Sequence, residues 1–203
     1  MALLCQRLDI EVGDIVINQH QTKAWRNLSQ AENAYLRFDY SEIHSLLKEL
    51  QPSDLRLPYD RVHYNYLNGI YALENEQDQV KALAYFQEII DEDWLAPDNL
   101  YYLLALKGFA EVYEARREYD TAKKYYDLLA KPVTDLKIKD NLAAIQIMSI
   151  LYRTGEFYGR HNYMKDSNHL LHYAYKIGSR FHEVYYMGRI LYRLGLNANA
   201  KGS

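Results

Sequence analysis

The sequence predicts an all-α protein, a right-handed superhelix of about five tetratricopeptide-like helix pairs. The chain has 203 residues with 21 tyrosines and only four prolines. This composition permits long helices whose phenol rings pack between neighbours. No stretch alternates apolar and polar residues for long enough to predict a strand. Most directly, Ile150–Gly155 (ILYRTG) recurs forty residues later as Ile190–Gly195 (ILYRLG).

The bulk composition narrows the class of protein. Hydrophobic residues make up 49% and charged residues 25% of the chain, as in ordinary soluble proteins. The net charge of −3 disfavours direct contact with DNA or RNA. Cys5 is the single cysteine, which excludes an intrachain disulfide and suits a reducing compartment. There is no apolar run of about 20 residues and no signal peptide pattern. We therefore expect a cytoplasmic protein without membrane contact.

Residues 1–18 differ in pattern from the remainder of the chain. Their leucines predict a short helix with an apolar face, which is consistent with a terminal helix packed on the array. The spacing in Leu3–Ile15 (LLCQRLDIEVGDI) also resembles the last helix of a repressor-type helix-turn-helix domain. We therefore divide the chain into residues 1–18, a remnant of such a domain or a linker helix, and residues 19–203, the helical repeat domain.

The first three helix pairs are predicted at residues 20–50, 59–91 and 106–130. The third has the clearest pattern, with Ala110 and Tyr113 on one helix and Ala122 and Tyr126 on the next. Small residues allow two helices to approach closely, and the rings fill the space beside them. One such pair cannot bury its own apolar face, so it needs neighbours.

A fourth pair is predicted to begin near Asp135, and its first helix should stop at a Gly155 cap. Its second helix is the least regular, within residues 156–180. A fifth first helix covers roughly 181–195 and has no partner helix after it. We expect a second subunit to cover its apolar face, making a homodimer; that face consists of Val184, Met187, Ile190, Leu191 and Leu194.

The spacing of the repeat leaves its class open. Equating Ala34, Tyr71, Tyr113, Leu151 and Leu191 gives steps of 37, 42, 38 and 40 residues. Tetratricopeptide units repeat every 34 residues or so and armadillo/HEAT units every 40–47 or so. The alanine and aromatic positions favour lengthened tetratricopeptide-like pairs, and a HEAT-like array is the alternative.

Catalytic patterns are weak in this sequence. The histidines are scattered, and His169 and His172 have only Asp166 nearby as a further metal ligand. No nucleophile, phosphate-binding glycine loop or carboxylate pair is evident. We predict a protein that is not an enzyme and has no metal or cofactor, with a small enzyme as the least favoured hypothesis.

The candidate binding surface is the concave groove that stacked helix pairs create. Its residues suit an extended peptide, because amides and hydroxyls bond its backbone and arginine holds a terminal carboxylate. Alternatively, the arginines only cap helix ends and the tyrosines belong to the core. The predicted peptide-binding residues are Lys107, Glu111, Gln146, Ser149, Arg153, Tyr185, Arg189 and Arg193.

Together these features resemble the Rgg/MutR/PlcR-type transcription regulators of Gram-positive bacteria. The resemblance rests on Leu3–Ile15, on the repeat core Leu106–Leu129 and on the twin Ile-Leu-Tyr-Arg-x-Gly segments. It implies quorum sensing: a C-terminal repeat domain that binds a short signalling peptide and forms a homodimer. It also implies that DNA is bound only through a domain missing from this chain. The alternative function is a scaffold or adaptor that binds a partner protein's tail.

Overall fold

The computed structural model describes residues 22–200, and every regular element in that range is helical. This confirms the all-α prediction. Within this range the chain divides into two compact units, residues 22–88 and 89–200. The helix predicted within residues 1–18 lies outside the described residues. None of the helices between residues 22 and 200 has the length and apolar character of a membrane-spanning segment.

In the first unit, α1 (Lys23–Leu36) and α2 (Tyr40–Lys48) form the pair predicted for residues 20–50. The Thr22 hydroxyl accepts a hydrogen bond from the Trp25 amide and so caps α1. The Asp39 carboxylate caps α2 in the same way. Ala24, Leu28 and Ala31 form the buried stripe of α1.

The second pair of this unit is α3 (Pro58–Tyr71) and α4 (Gln79–Ile90), as predicted for residues 59–91. A π-helical turn, Ala72–Glu76, continues α3. Glu74 on this turn accepts hydrogen bonds from the hydroxyls of Tyr35 and Tyr40. A Cβ atom at Gly69 would lie 2.5 Å from the Phe86 ring, so glycine permits the close approach of α3 and α4.

The second unit begins its helices with α5 (Leu100–Ala115) and α6 (Tyr119–Ala130). This is the pair predicted for 106–130, but α5 begins six residues earlier than predicted. Residues 103–112 of α5 are all buried. Ala110, Ala122 and Tyr126 lie in the core as expected. A single short turn, α7 (Pro132–Asp135), comes next.

The prediction that Gly155 ends a helix is wrong. Helix α8 (Asn141–Arg160) passes through Gly155, and α9 (Met164–Phe181) comes after it. A Cβ atom at Gly155 would lie 2.9 Å from Leu171 Cγ, and the Ser167 hydroxyl donates to the Gly155 carbonyl at 2.6 Å. Gly155 therefore serves the close packing of α8 on α9, because a larger residue would collide with α9.

The last helix, α10 (Met187–Ala200), also passes through its glycine, Gly195. It begins six residues after the predicted start at 181, because α9 extends to Phe181. Of the apolar face predicted to need a cover, Ile190 is buried within the chain, while Val184 and Leu191 are exposed.

The four turns that join paired helices share one local geometry. In each, a residue with positive φ is followed by the residue that comes just before the second helix. The amide of this second residue donates a hydrogen bond to a carbonyl near the end of the first helix. The three bonds that span five residues are Asp39 to Ala34, Glu118 to Tyr113 and Tyr163 to Tyr158; the fourth, Asp78 to Ala72, spans six. The positive-φ residues of these turns are Phe38, Gln77, Arg117 and Asn162. The extra residue in the second turn is accommodated by the π-helical turn.

Candidate functional site

Seven charged side chains from α5, α8 and α10 form a connected network, which we call the charged cluster. Helix α5 places its members at three- or four-residue spacing, and so does α8. Such spacing lines them up on one face of each helix. The members are Lys107, Glu111 and Glu114 on α5, Arg153, Glu156 and Arg160 on α8, and Arg193 on α10.

The centre of the cluster is the pair of Arg153 and Glu111. Arg153 Nε donates to Glu111 Oε1 at 2.6 Å, while Glu111 itself is only 8% exposed. Burial raises the pKa of Glu111, but the charges of Lys107 and Arg153 outweigh it and leave the pKa lowered. Burial acts to lower the pKa of Arg153, and the charge of Glu111 more than offsets it, so that pKa is raised. Both groups are therefore charged at neutral pH.

Two further carboxylates extend the network toward the end of α8 and toward α10. Arg160 Nη2 lies 2.8 Å from Glu114 Oε1 and 3.4 Å from Glu156 Oε2. Glu156 also accepts a hydrogen bond from Arg153 Nη1 at 3.1 Å. Arg193 Nη2 is more distant, 3.8 Å from Glu156 Oε1. Glu156 thus links three arginines and is the junction between α8 and α10.

Tyrosines surround the cluster. The Tyr126 hydroxyl donates to Glu114 Oε2 at 3.0 Å, and burial raises the pKa of Tyr126 well above its ordinary value. Tyr152 is buried on α8, and burial together with the charge of Glu156 raises its pKa to about 12. Its ring lies 5.6 Å from that of Tyr186. The phenols of Tyr126 and Tyr152 are therefore protonated donors at neutral pH.

The cluster has more cationic donors than carboxylates. Four cations face three glutamates, and the exposed Arg189 adds a fifth positive charge that acts on the Tyr152 hydroxyl. Arg193 Nε is buried and, among the described residues, has no hydrogen-bond partner. A buried donor without a partner carries a desolvation cost that an added anion would relieve.

The structure brings four of the predicted peptide-binding residues into this cluster: Lys107, Glu111, Arg153 and Arg193. Lys107 and Glu111 are buried. Gln146 and Ser149 lie buried earlier on α8, where the Ser149 hydroxyl donates to the Gln146 carbonyl. Tyr185 is half-buried with its ring against Tyr186. Arg189 is exposed beside the cluster.

Of the other three members, Glu114 follows Lys107 and Glu111 on the same face of α5, while sequence reasoning missed Glu156 and Arg160 on α8. The signal was present, because Arg153, Glu156 and Arg160 have the i, i+3 and i+7 spacing of one helical face. Because the predicted helix ended at Gly155, these two residues fell in a predicted loop. The error in the helix boundary therefore became an error in the site.

Among residues 22–200, no group of three or more His, Cys, Asp or Glu side chains is placed to hold a metal ion. Comparison with known proteins adds no assignment: no family model, curated protein or solved structure matches this chain.

Proposed function

We propose that the second unit binds a short peptide through its carboxylate at the charged cluster. The chain would thereby be the sensing domain of a cytoplasmic transcription regulator. The observation that carries this proposal is the surplus of arginine donors on α8 and α10. Arginine binds carboxylates through two parallel hydrogen bonds, so a planar donor group without a close acceptor suits that ligand.

Within this proposal the helix pairs stack as a right-handed superhelix of tetratricopeptide-like units. The four matching turns are consistent with repetition, and the same positive-φ cap also ends α9 at His182, where the Glu183 amide reaches back to Gly178. In such arrays the first helix of each pair lines the inner surface. The cluster residues all lie on α5, α8 and α10, which are the first helices of their pairs in this scheme.

A carboxylate arriving between Arg189 and Arg193 would compete with Glu156 for the Arg193 guanidinium. The existing contact is long, at 3.8 Å, so a ligand that approaches more closely can replace it. Because Glu156 joins α8 to α10, that replacement changes how α10 is held on α8. A ligand shifts such an equilibrium only by its difference in affinity for the two arrangements. We propose that this change in the packing of α10 on α8 is the signal that an attached DNA-binding domain receives. Homodimerisation remains a prediction of the family resemblance.

The test is affinity selection from pooled synthetic peptides of 5–12 residues (roughly the size an extended groove holds), each with a free or an amidated C-terminus. Bound peptides are identified by mass spectrometry and their affinities are then measured by calorimetry. We expect the free acids to bind roughly 10- to 100-fold more tightly than the amides, which is the range of a charge-assisted hydrogen bond. Arg193→Gln should remove this difference, whereas Arg180→Gln, an exposed arginine at the end of α9, should preserve it. Equal binding of acids and amides would refute the proposal.

A further inference from the structure

Helix α10 packs on α8 and α9 through a face that is half polar. We call this side of the helix the anchoring face, and it consists of Ile190, Arg193, Leu194 and Asn197. Of the fourteen residues of α10, only Ile190 and Asn197 are buried. The corresponding residues of α8, forty positions earlier, are Ile150 and Phe157, which are apolar and buried. The repeat therefore keeps its first anchor and has an amide in place of the second.

Asn197 belongs to a chain of hydrogen bonds that joins three helices. Its Nδ2 atom donates to Ser167 Oγ at 2.7 Å and to Asn168 Oδ1 at 2.8 Å, both on α9. The Ser167 hydroxyl donates in turn to the Gly155 carbonyl of α8 at 2.6 Å. A Cβ atom at Gly159 would lie 2.7 Å from Asn197 Oδ1, so glycine permits the close approach of α10 to α8. Polar contacts thus fix the position of α10 where α8 has an aromatic ring in its core.

The packed position of α10 leaves polar atoms buried without a partner. Among the described residues, the buried side-chain atoms that lack a hydrogen bond are Asn197 Oδ1, Arg193 Nε and Thr154 Oγ1. Two of these three atoms belong to the anchoring face. The ion pair of that face is long, with Arg193 Nη2 3.8 Å from Glu156 Oε1. Release of α10 would return both unpaired atoms to water, so they favour the released form.

The segment is also a weak helix on its own. Its fourteen residues include Gly188 and Gly195, and a Cβ atom added at either would meet no described residue within 4 Å. Glycine lowers helix propensity relative to alanine, and isolated helices shorter than roughly 12–15 residues are marginal in water. Once separated from α8 and α9, this segment is therefore expected to lose its helical hydrogen bonds.

We propose that α10 is a detachable helix, which leaves α8 and α9 as one cooperative unit while they stay folded. Segments with little buried apolar surface open at a lower free energy than the whole domain. Release separates Arg193 from Glu156 and uncovers the surface around Gly159 and Ser167. Any ligand that binds this uncovered surface would favour the released form. The inference rests on the contacts of α10 alone and does not depend on the proposed function.

The test is native-state hydrogen exchange of the full 203-residue chain, followed by NMR at low urea concentrations. We expect the hydrogen-bonded amides of α10 to share one opening constant and one urea dependence. They should exchange at least about 100-fold faster than amides in the middle of α8. A helix that only frays would instead show protection that falls step by step toward Ala200.

Two glycine variants form a matched pair, because they make the same substitution on opposite sides of the contact. In Gly159→Ala the new Cβ atom would collide with Asn197 and Ser167. It should raise the opening constant of α10 roughly 5- to 100-fold, as overpacking does. Gly188→Ala has no described residue to collide with and improves helix propensity. It should lower the same constant about fivefold.

Asn197→Leu tests the polar anchor itself. Leucine restores an apolar side chain where α8 has Phe157 and removes the unpaired Oδ1 atom. The opening constant of α10 should therefore fall at least about tenfold. Asn199→Ala, at an exposed asparagine of the same helix, is the control and should lower it by no more than about threefold. If leucine does not fit beside Gly159 and raises the constant, the glycine pair decides.

Three outcomes would overturn the proposal. One is exchange of the α10 amides only through global unfolding, with the opening constant of α8. Another is the stepwise gradient of protection that fraying produces. The third is a shift of the α10 opening constant in the same direction in Gly159→Ala and Gly188→Ala, because packing against α8 would then not control release.

Discussion

The twin segments on α8 and α10 show how far the same six-residue pattern can differ in what it does. Leu151 is fully buried, whereas Leu191 is about half exposed. Arg153 is bonded to Glu111 and Glu156 at 2.6 and 3.1 Å, whereas Arg193 lies 3.8 Å from Glu156. Gly155 lies under Leu171, whereas no described residue lies within 4 Å of a Cβ atom added at Gly195. The local sequence specifies the helix, while the neighbouring helix decides whether each side chain is core or surface.

The largest expected effect concerns the leucines. Leu151→Ala should lower the free energy of unfolding by about 2–5 kcal/mol, because it removes buried methyl groups and leaves a cavity. Leu191→Ala should change it by less than about 0.5 kcal/mol. Urea denaturation of the two variants measures both. Similar losses at the two positions would mean that Leu191 is already packed against another surface in solution.

The next largest difference is expected between Arg153 and Arg193, in the stability lost when each is replaced. Arg153→Met should cost about 3 kcal/mol, because it leaves Glu111 charged and buried with Lys107 as its remaining cation. Arg193→Met should cost less than about 1 kcal/mol, since its ion pair is long and its Nε already lacks a partner among the described residues. Chemical denaturation at neutral pH measures both, and the reverse order would place the centre of the network on α10.

The glycines should show effects of opposite sign. Gly155→Ala should destabilise by about 1–3 kcal/mol, because its Cβ atom overpacks against Leu171. Gly195→Ala should stabilise by about 0.5–1 kcal/mol. Differential scanning calorimetry gives both shifts in Tm, which should point in opposite directions. Two shifts of the same sign would contradict the packing described for one of these residues.

The smallest expected effect is a change in how the free energy of unfolding depends on pH. The folded-state pKa of Glu111 is lowered, so its stabilising contribution is complete above the unfolded value of about 4.3 and is lost as pH falls through the lower folded value. In Arg153→Met, the neutral, protonated form of Glu111 is less costly to bury than its charged form. The difference in stability between this variant and the natural sequence should therefore narrow below about pH 4. A gap that stays constant between neutral pH and the acid range would show that the charge of Glu111 is not what Arg153 stabilises.

Much of the helical layout could be predicted from the sequence, because the spacing of apolar residues locates a helix even where its first and last residues cannot be predicted. The pairs α1–α2, α3–α4 and α5–α6 lie where alanine and tyrosine periodicity placed them. The ends were harder to predict, since Phe38, Gln77, Arg117 and Asn162 adopt positive φ where glycine is the usual signal. Conversely, Gly155 and Gly195 are glycines inside helices. A glycine in the sequence does not by itself distinguish a helix cap from a position inside a helix.

The candidate site was predictable only in part. Lys107, Glu111, Arg153 and Arg193 were placed on one surface by repeat offset, and the structure brings them together. That Lys107 and Glu111 are buried depends on how completely α5 is enclosed, and the repeat pattern carries no information on this. Gln146 and Ser149 are buried for the same kind of reason, since their turn of α8 faces other helices.

The most direct test of carboxylate recognition is native mass spectrometry of the full chain purified from its own host. We predict a non-covalently bound mass in the range of a short peptide, present on the natural sequence and on Arg180→Gln and absent from Arg193→Gln. A chain that carries no such mass, or one that carries it equally in all three forms, would contradict carboxylate recognition at the charged cluster.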